Sequence, residues 1–234
     1  MSATSHSPIE HGTVENGTVK ICGLSEPATL RAALEAGADM VGFVFFAPSP
    51  RAVTPETAAA LARIVREESA ARVVALSVDA DDALLAAITE AVSPDLHQLH
   101  GKESVARAAD VSARFGPVMK ALGVRSASDV ASAKPYAEAG AAILFDAPPP
   151  PDSPLPGGNG EAFDWTRLGA ARTPFLLSGG LTPANAANAL RVPGAVGIDV
   201  SSGVERAKGV KDEGLIRDFL RAARAAQTTE SLSA

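Results

Sequence analysis

Short apolar runs alternate with longer alanine-rich segments along most of this chain. The runs are Val19–Leu24, Met40–Phe46, Arg72–Val78, Leu96–Leu99, Val118–Leu122, Ala142–Asp146, Phe175–Ser178 and Ala195–Asp199. Runs this short, with little polar alternation, read as strands buried on both faces, as in a parallel sheet. Between most of them the apolar positions take helical spacing: Ala28–Ala36, Pro55–Glu68, Asp82–Ala91, Ser104–Phe115, Ala127–Ala139 and Pro183–Leu190, with Lys211–Ala225 after the last run. Ser25-x-Pro27, Thr54-Pro55 and Thr182-Pro183 each set a capping residue beside a proline suited to a first helical turn.

One strand and one helix repeat every 20 to 35 residues or so, the size of a βα unit. Eight such units predict an α/β fold, a single (β/α)8 TIM barrel with a parallel eight-stranded core, over an open doubly wound sheet. The 234 residues leave almost nothing beyond the roughly 250 typical of that barrel. The barrel is assigned to 18–227, with polar tails at 1–17 and 228–234. Both architectures place ligand sites at the C-terminal ends of the strands. One connection breaks the pattern: "APPPPDSPLPGGNGEAFDW" after Asp146 holds six prolines and then three glycines. A loop of that length in a compact domain suits a lid or a binding segment.

Composition narrows the function. At 46% hydrophobic but only 4% aromatic, the chain carries an aliphatic core. A net charge of -6 disfavours nucleic acid and anionic membrane as partners. The first 17 residues hold no Lys or Arg and no apolar run, so they are not read as a secretory signal. No stretch approaches the roughly 20 apolar residues of a membrane helix. The single cysteine forms no internal disulfide and suits a reducing, cytoplasmic setting. Monomer and homodimer both stay open.

The chemistry-bearing residues fall at strand ends. Lys20 and Cys22 share a face of the first strand; Asp146 ends the sixth and Asp199 the eighth. His100 ends the fourth on the face of Gln98, while His97 points the other way, so the two histidines make a poor metal pair. Singly, each has a bland explanation: a lone cysteine is more often a core filler, and a strand-end aspartate a cap or ion-pair partner. Together they point to a site. Arg51, held in "APSPRAVTP", is placed to grip a carboxylate. "LSGGLT" (Gly179, Gly180) and "DVSSGVE" (Ser201, Ser202, Gly203) close the seventh and eighth units, where such barrels frequently bind phosphate. Gly158 and Gly160 of "GGNG" would let backbone amides approach the same ligand.

These residues, in order, resemble phosphoribosylanthranilate isomerases. The resemblance covers Lys20 to about Phe219, through "KICGL", "GADMVGFVF", "SPRAV", "QLHG", "ILFD", "GGNGEAFDW", "LSGGLTPANA" and "DVSSGVERAKGVKD". It implies an Amadori rearrangement of N-(5-phosphoribosyl)anthranilate to 1-(2-carboxyphenylamino)-1-deoxyribulose 5-phosphate, without cofactor or metal. By motif, Cys22 matches the general base, Asp146 the general acid, and Arg51 the residue that meets the anthranilate carboxylate. The glycine and serine turns match the phosphate site, with Lys20, His100 and Asp199 facing the substrate. The acid has to carry a proton at neutral pH, which a site at the end of an apolar strand favours. The base has to be a thiolate, and Lys20 is expected to raise that fraction.

Two departures stand out. Asn159 replaces the threonine usual in "GGTG", and Leu76–Ser77 fall where the family commonly has a Gly-Val-Phe run. Competing readings are another phosphate-binding barrel, such as a sugar-phosphate epimerase or a tryptophan-synthase-like lyase, a phosphosugar-binding barrel without turnover, and a scaffold. The shortage of histidines disfavours metal-dependent versions, the presence of both Cys22 and Asp146 disfavours the barrel without turnover, and the gathering of polar residues at strand ends disfavours a scaffold.

Overall fold

A computed structural model of the chain describes residues 14–148, 157 and 163–231. Eight parallel strands close into a barrel in sequence order: β1 (Thr18–Cys22), β2 (Met40–Phe45), β3 (Arg72–Ser77), β4 (Leu96–Leu99), β5 (Val118–Gly123), β6 (Ala142–Asp146), β7 (Phe175–Leu177) and β8 (Ala195–Val200). β8 pairs back onto β1, with Lys20 beside Asp199. Every apolar run is a strand, with its ends within two residues of the expected ones.

The helices are α1 (Pro27–Glu35), α2 (Pro55–Glu68), α3 (Asp82–Val92), α4 (Val105–Phe115), α5 (Ala127–Ala131), α6 (Ala133–Glu138), α7 (Ala186–Leu190) and α8 (Glu213–Ser231). The Thr54 hydroxyl caps α2 by accepting from the Thr57 N–H. The other two expected caps differ. Glu26, not Ser25, precedes α1, and its side chain makes no cap. Thr182-Pro183 opens a turn: the Asn185 side chain accepts from the Thr182 N–H at 2.8 Å and donates to the Gly180 carbonyl at 3.0 Å. α7 therefore starts only at Ala186.

Four further differences separate the structure from the sequence reading. The segment read as one helix over Ala127–Ala139 breaks into α5 and α6, because Pro135 has no N–H to give to the Ala131 carbonyl and its ring crowds that group. A 3₁₀ segment over Trp165–Ala170 stands where no helix was expected, capped by the Asp164 carboxylate on the Thr166 N–H at 3.0 Å. An antiparallel hairpin, β9 (Glu205–Ala207) and β10 (Val210–Lys211), lies between β8 and α8, with Lys211 paired to Glu205. α8 runs to Ser231, past the expected Ala225.

Alternation along the strands sorts side chains into two layers. Val19, Ile21, Phe43, Val73, Ala75 and Phe145 point outward, in one cluster with helix residues such as Leu30, Leu61, Ile88 and Phe219. Met40, Val74, Leu96, Met119, Leu144 and Leu176 fill the barrel's floor. Two and four residues beyond Leu96 on the same face come Gln98 and His100, and two beyond Leu144 comes Asp146; β1 and β8 add Lys20, Cys22 and Asp199 to the inner face. The interior thus passes from a dry floor to a polar mouth.

Candidate active site

Cys22 closes β1 and is 3% exposed. Two positions below it, Lys20 is fully buried and donates to Asp199 Oδ1 at 2.9 Å. The pair follows from register, since Lys20 and Asp199 are neighbours across the β1–β8 seam. On the other side β2 supplies Gly42. A Cβ there would lie 2.9 Å from Cys22 Sγ and 3.3 Å from Lys20 Nζ. The glycine is what lets a lysine and a thiol share this layer. Burial pushes the Cys22 thiol above its usual range; Lys20 and Lys211 pull it down without overcoming burial, and Asp199 adds to the upward push. The expected influence of Lys20 therefore has the right sign but does not decide the outcome. Burial opposes the Lys20 charge, yet Asp199 and Cys22 hold its ammonium above the ordinary value.

Asp146 ends β6 and is 4% exposed. Its Oδ1 accepts from the Ala147 N–H at 2.8 Å, and its Oδ2 lies 3.3 Å from His100 Nε2. Behind the imidazole, Gln98 Nε2 lies 3.4 Å from His100 Nδ1. With that amide donating to Nδ1, the neutral ring carries its proton on Nε2 and turns it towards Asp146. Gln98 is fully buried, and its Oε1 finds no hydrogen-bond partner among the described residues. His97 faces outward as expected, against Thr89 Oγ1 at 3.1 Å and the Phe115 ring. Burial lowers its pKa.

Arg51 is also buried, and the carboxylate it grips in this structure is Glu205. Its Nε donates to Oε1 at 2.7 Å and its Nη2 to Oε2 at 3.0 Å. Glu205 receives two more bonds, from Lys211 Nζ at 2.9 Å and from the Gly209 N–H at 2.9 Å. Burial alone would raise the Glu205 carboxyl, but these donors bring it down to about 2. Burial draws the Lys211 ammonium below its usual value although Glu205 opposes this. Lys211 Nζ also donates to the Ser201 carbonyl at 2.7 Å and to Ser201 Oγ at 3.2 Å, and Ser201 Oγ donates to the Cys22 carbonyl at 3.1 Å.

The turns after β7 and β8 pack directly on each other: a Cβ on Gly203 would run into the Leu181 carbonyl oxygen. They form one wall of an open pocket. The pocket is lined by Cys22, Arg51, His100, Asp146 and Asp199, by Gly179, Gly180, Ser201, Ser202 and Gly203, and on one side by the apolar Val44, Phe46, Leu76 and Val78. The expected residues thus converge, with Lys20 one layer beneath. Gly158 and Gly160 lie outside the described residues, as do 1–13 and most of the proline-rich loop; Gly157 packs against Asp146 and His100.

Sequence reasoning gave no site role to Gln98, Gly42, Glu205 or Lys211. Gln98 carried a usable signal, an amide inside an apolar strand and in phase with His100. Glu205 and Lys211 carried none, since Glu205 meets Arg51, 154 residues away, and Lys211 acts through Glu205. Among the described residues no group of three or more His, Cys, Asp or Glu side chains is placed to hold a metal ion. Nor is any helix there long and apolar enough to cross a membrane.

Known proteins are similar to this chain over most of its length. The chain is 58% identical over 218 residues to the N-(5'-phosphoribosyl)anthranilate isomerase of Rhodopseudomonas palustris strain BisA53, covering 92% of this chain and 98% of that one. It is 55% identical over 214 residues to that of Nitrobacter winogradskyi, covering 90% and 94%. Among solved structures it is similar to phosphoribosyl anthranilate isomerase from Thermotoga maritima, with a TM-score of 0.78 and 33% identity over 89% of this chain and 98% of that one. It is also similar to a phosphoribosyl anthranilate isomerase in complex with reduced 1-(o-carboxyphenylamino)-1-deoxyribulose 5-phosphate, with a TM-score of 0.75 and 31% identity over the same shares. The family model for N-(5'-phosphoribosyl)anthranilate isomerase matches residues 19–222. That match begins at the second residue of β1 and ends inside α8, so it takes in all eight strands, and the chain belongs to the N-(5'-phosphoribosyl)anthranilate isomerase family.

Proposed function

We propose that the chain catalyses the Amadori rearrangement of N-(5'-phosphoribosyl)anthranilate in tryptophan biosynthesis, with Asp146 as general acid and Cys22 as general base. One observation carries the residue roles: a lone thiol and a strand-end carboxyl line the same pocket, whose wall is built from the turns after β7 and β8. Protonated Asp146 delivers its proton to the ribose ring oxygen. The C1–O bond breaks and a Schiff base forms. The Cys22 thiolate then removes the C2 proton, leaving an enolamine that tautomerises to the aminoketose. Atoms and electrons balance within the substrate, so no external oxidant or reductant is called for.

The surroundings fit these tasks. The His100 Nε2–H stabilises the carboxylate that Asp146 becomes after giving up its proton. The unpartnered Gln98 Oε1 can take a bond from a substrate hydroxyl. Arg51 meets the anthranilate carboxylate, and the apolar side chains near it receive the aromatic ring. The turns at Gly179–Gly180 and Ser201–Gly203, with Gly158 and Gly160, receive the phosphate through backbone N–H groups. Lys20 and Asp199 set the field beneath the thiol. The lone cysteine, free in the structure, suits a reducing compartment, and we place the reaction in the cytoplasm.

The test is to generate phosphoribosylanthranilate in situ and follow the change of its anthranilate fluorescence. Wild type turns it over, whereas Cys22→Ala and Asp146→Asn lose at least about 100-fold while still folding. Full activity in Cys22→Ala would remove the thiol from the mechanism.

A further inference from the structure

We propose that Glu205 is a positioning residue that sets both ends of the substrate site at once. It aims Arg51 at the carboxylate end and, through Lys211, fixes the Ser201–Gly203 turn at the phosphate end. The inference rests on the binding roles proposed above for Arg51 and for that turn.

Glu205 is not among the residues lining the pocket, while Arg51 and Ser201 are. Any effect it has on substrate therefore passes through other groups. Its carboxylate takes four donors: Arg51 Nε, Arg51 Nη2, Lys211 Nζ and the Gly209 N–H. A carboxylate offers about four lone-pair sites, so its capacity is filled. The two bonds from Arg51 are a fork on a fork, which fixes the plane of the guanidinium as well as its position. The bond from Lys211 leaves that ammonium two further protons, and it spends them on Ser201, the first residue of the turn. Ser201 in turn donates to the Cys22 carbonyl. One buried acid thus ties the β2 loop, the turn after β8 and the end of β1 into one unit.

The hairpin exists in a form that serves this. Glu205 and Lys211 are cross-strand partners on β9 and β10. Gly209, in the turn between those strands, packs on Pro50, the residue before Arg51, where a Cβ would lie 2.8 Å from the Pro50 carbonyl oxygen. A glutamine at 205 fills the same space but accepts only through its single oxygen. Its NH2 would then face Arg51 together with either the Lys211 ammonium or the Gly209 N–H, donors that it cannot accept from.

The experiment measures competitive inhibition by anthranilate and by inorganic phosphate, with KM and kcat, in Glu205→Asp, Glu205→Gln, Arg51→Lys and Lys211→Met. In both Glu205 variants both inhibition constants rise by about tenfold or more, the loss expected for a weakened charge-assisted bond at each end. KM rises with them, and kcat moves less. Arg51→Lys weakens anthranilate alone, and Lys211→Met weakens phosphate alone. A folded Glu205 variant that weakens only one probe, or neither, overturns the proposal. So does failure of Glu205→Asp to fold, which keeps the charge and loses one methylene, because the role would then be structural. If Arg51→Lys leaves anthranilate inhibition unchanged, the reading beneath the proposal fails instead, whatever Glu205 does.

Discussion

At Cys22 two physical effects compete, and sequence shows only one of them. The face shared with Lys20 follows from alternation along a strand, and the structure bears it out. How much water each group loses depends on closure of the barrel and on Gly42, which no spacing along β1 reveals. Burial wins, so the thiol stays protonated above the ordinary value of about 8.5. For an acid with a raised pKa the thiolate accumulates only as pH climbs. The rate of alkylation by iodoacetamide, which needs only the thiolate, should keep rising beyond that value. Lys20→Met removes the main opposing pull and moves the alkylation profile to still higher pH. Because it leaves Asp199 buried without its cation, it should also cost about 3–5 kcal/mol in denaturant unfolding. An alkylation profile unchanged by Lys20→Met would show that the ammonium does not act on the thiol.

Elements differed in how plainly they could be read. The barrel strands stand out because both of their faces are buried, so apolar residues run together instead of alternating. The α5–α6 break was legible in principle, since Pro135 sits where a continuous helix would need its N–H. The β9–β10 hairpin was not: strands of three and two residues are too short to show any period. It is tied to a distant part of the chain by the ion pair of Glu205 with Arg51. The turns after β7 and β8 were legible as glycine-rich, but not as a single packed unit. Gly203→Ala tests that packing. The added methyl meets the Leu181 carbonyl oxygen, so one turn has to move off the other. Thermal unfolding should come at lower temperature and KM should rise, with kcat less affected. An alanine accommodated with unchanged KM would mean that the two turns are not held in register.

For the molecule as a whole, the acid limb of stability should carry the signature of Glu205. Its carboxyl is held at about 2 in the folded state, against roughly 4.3 for a free glutamate. A depressed carboxyl contributes stability that is complete above the unfolded value and disappears as pH falls through the folded one. Melting temperature should therefore drop between about pH 4.5 and 2. Glu205→Gln should start lower at neutral pH but fall less steeply over that interval. Equal slopes would place the acid sensitivity in other carboxylates.

The pairing of the first strand with the last has a consequence for the order in which this molecule becomes itself. Lys20 and Asp199 are 179 residues apart, so the thiol's surroundings are contributed by opposite ends of the chain. A ribosome delivers β1 early and β8 late. The thiol's apolar neighbours, Val44 on β2 and Leu76 on β3, also come early. Asp199 beneath Lys20 and Ser201 on the Cys22 carbonyl come only with the last strand, so closing the ring brings in the polar half of the thiol's surroundings in one event.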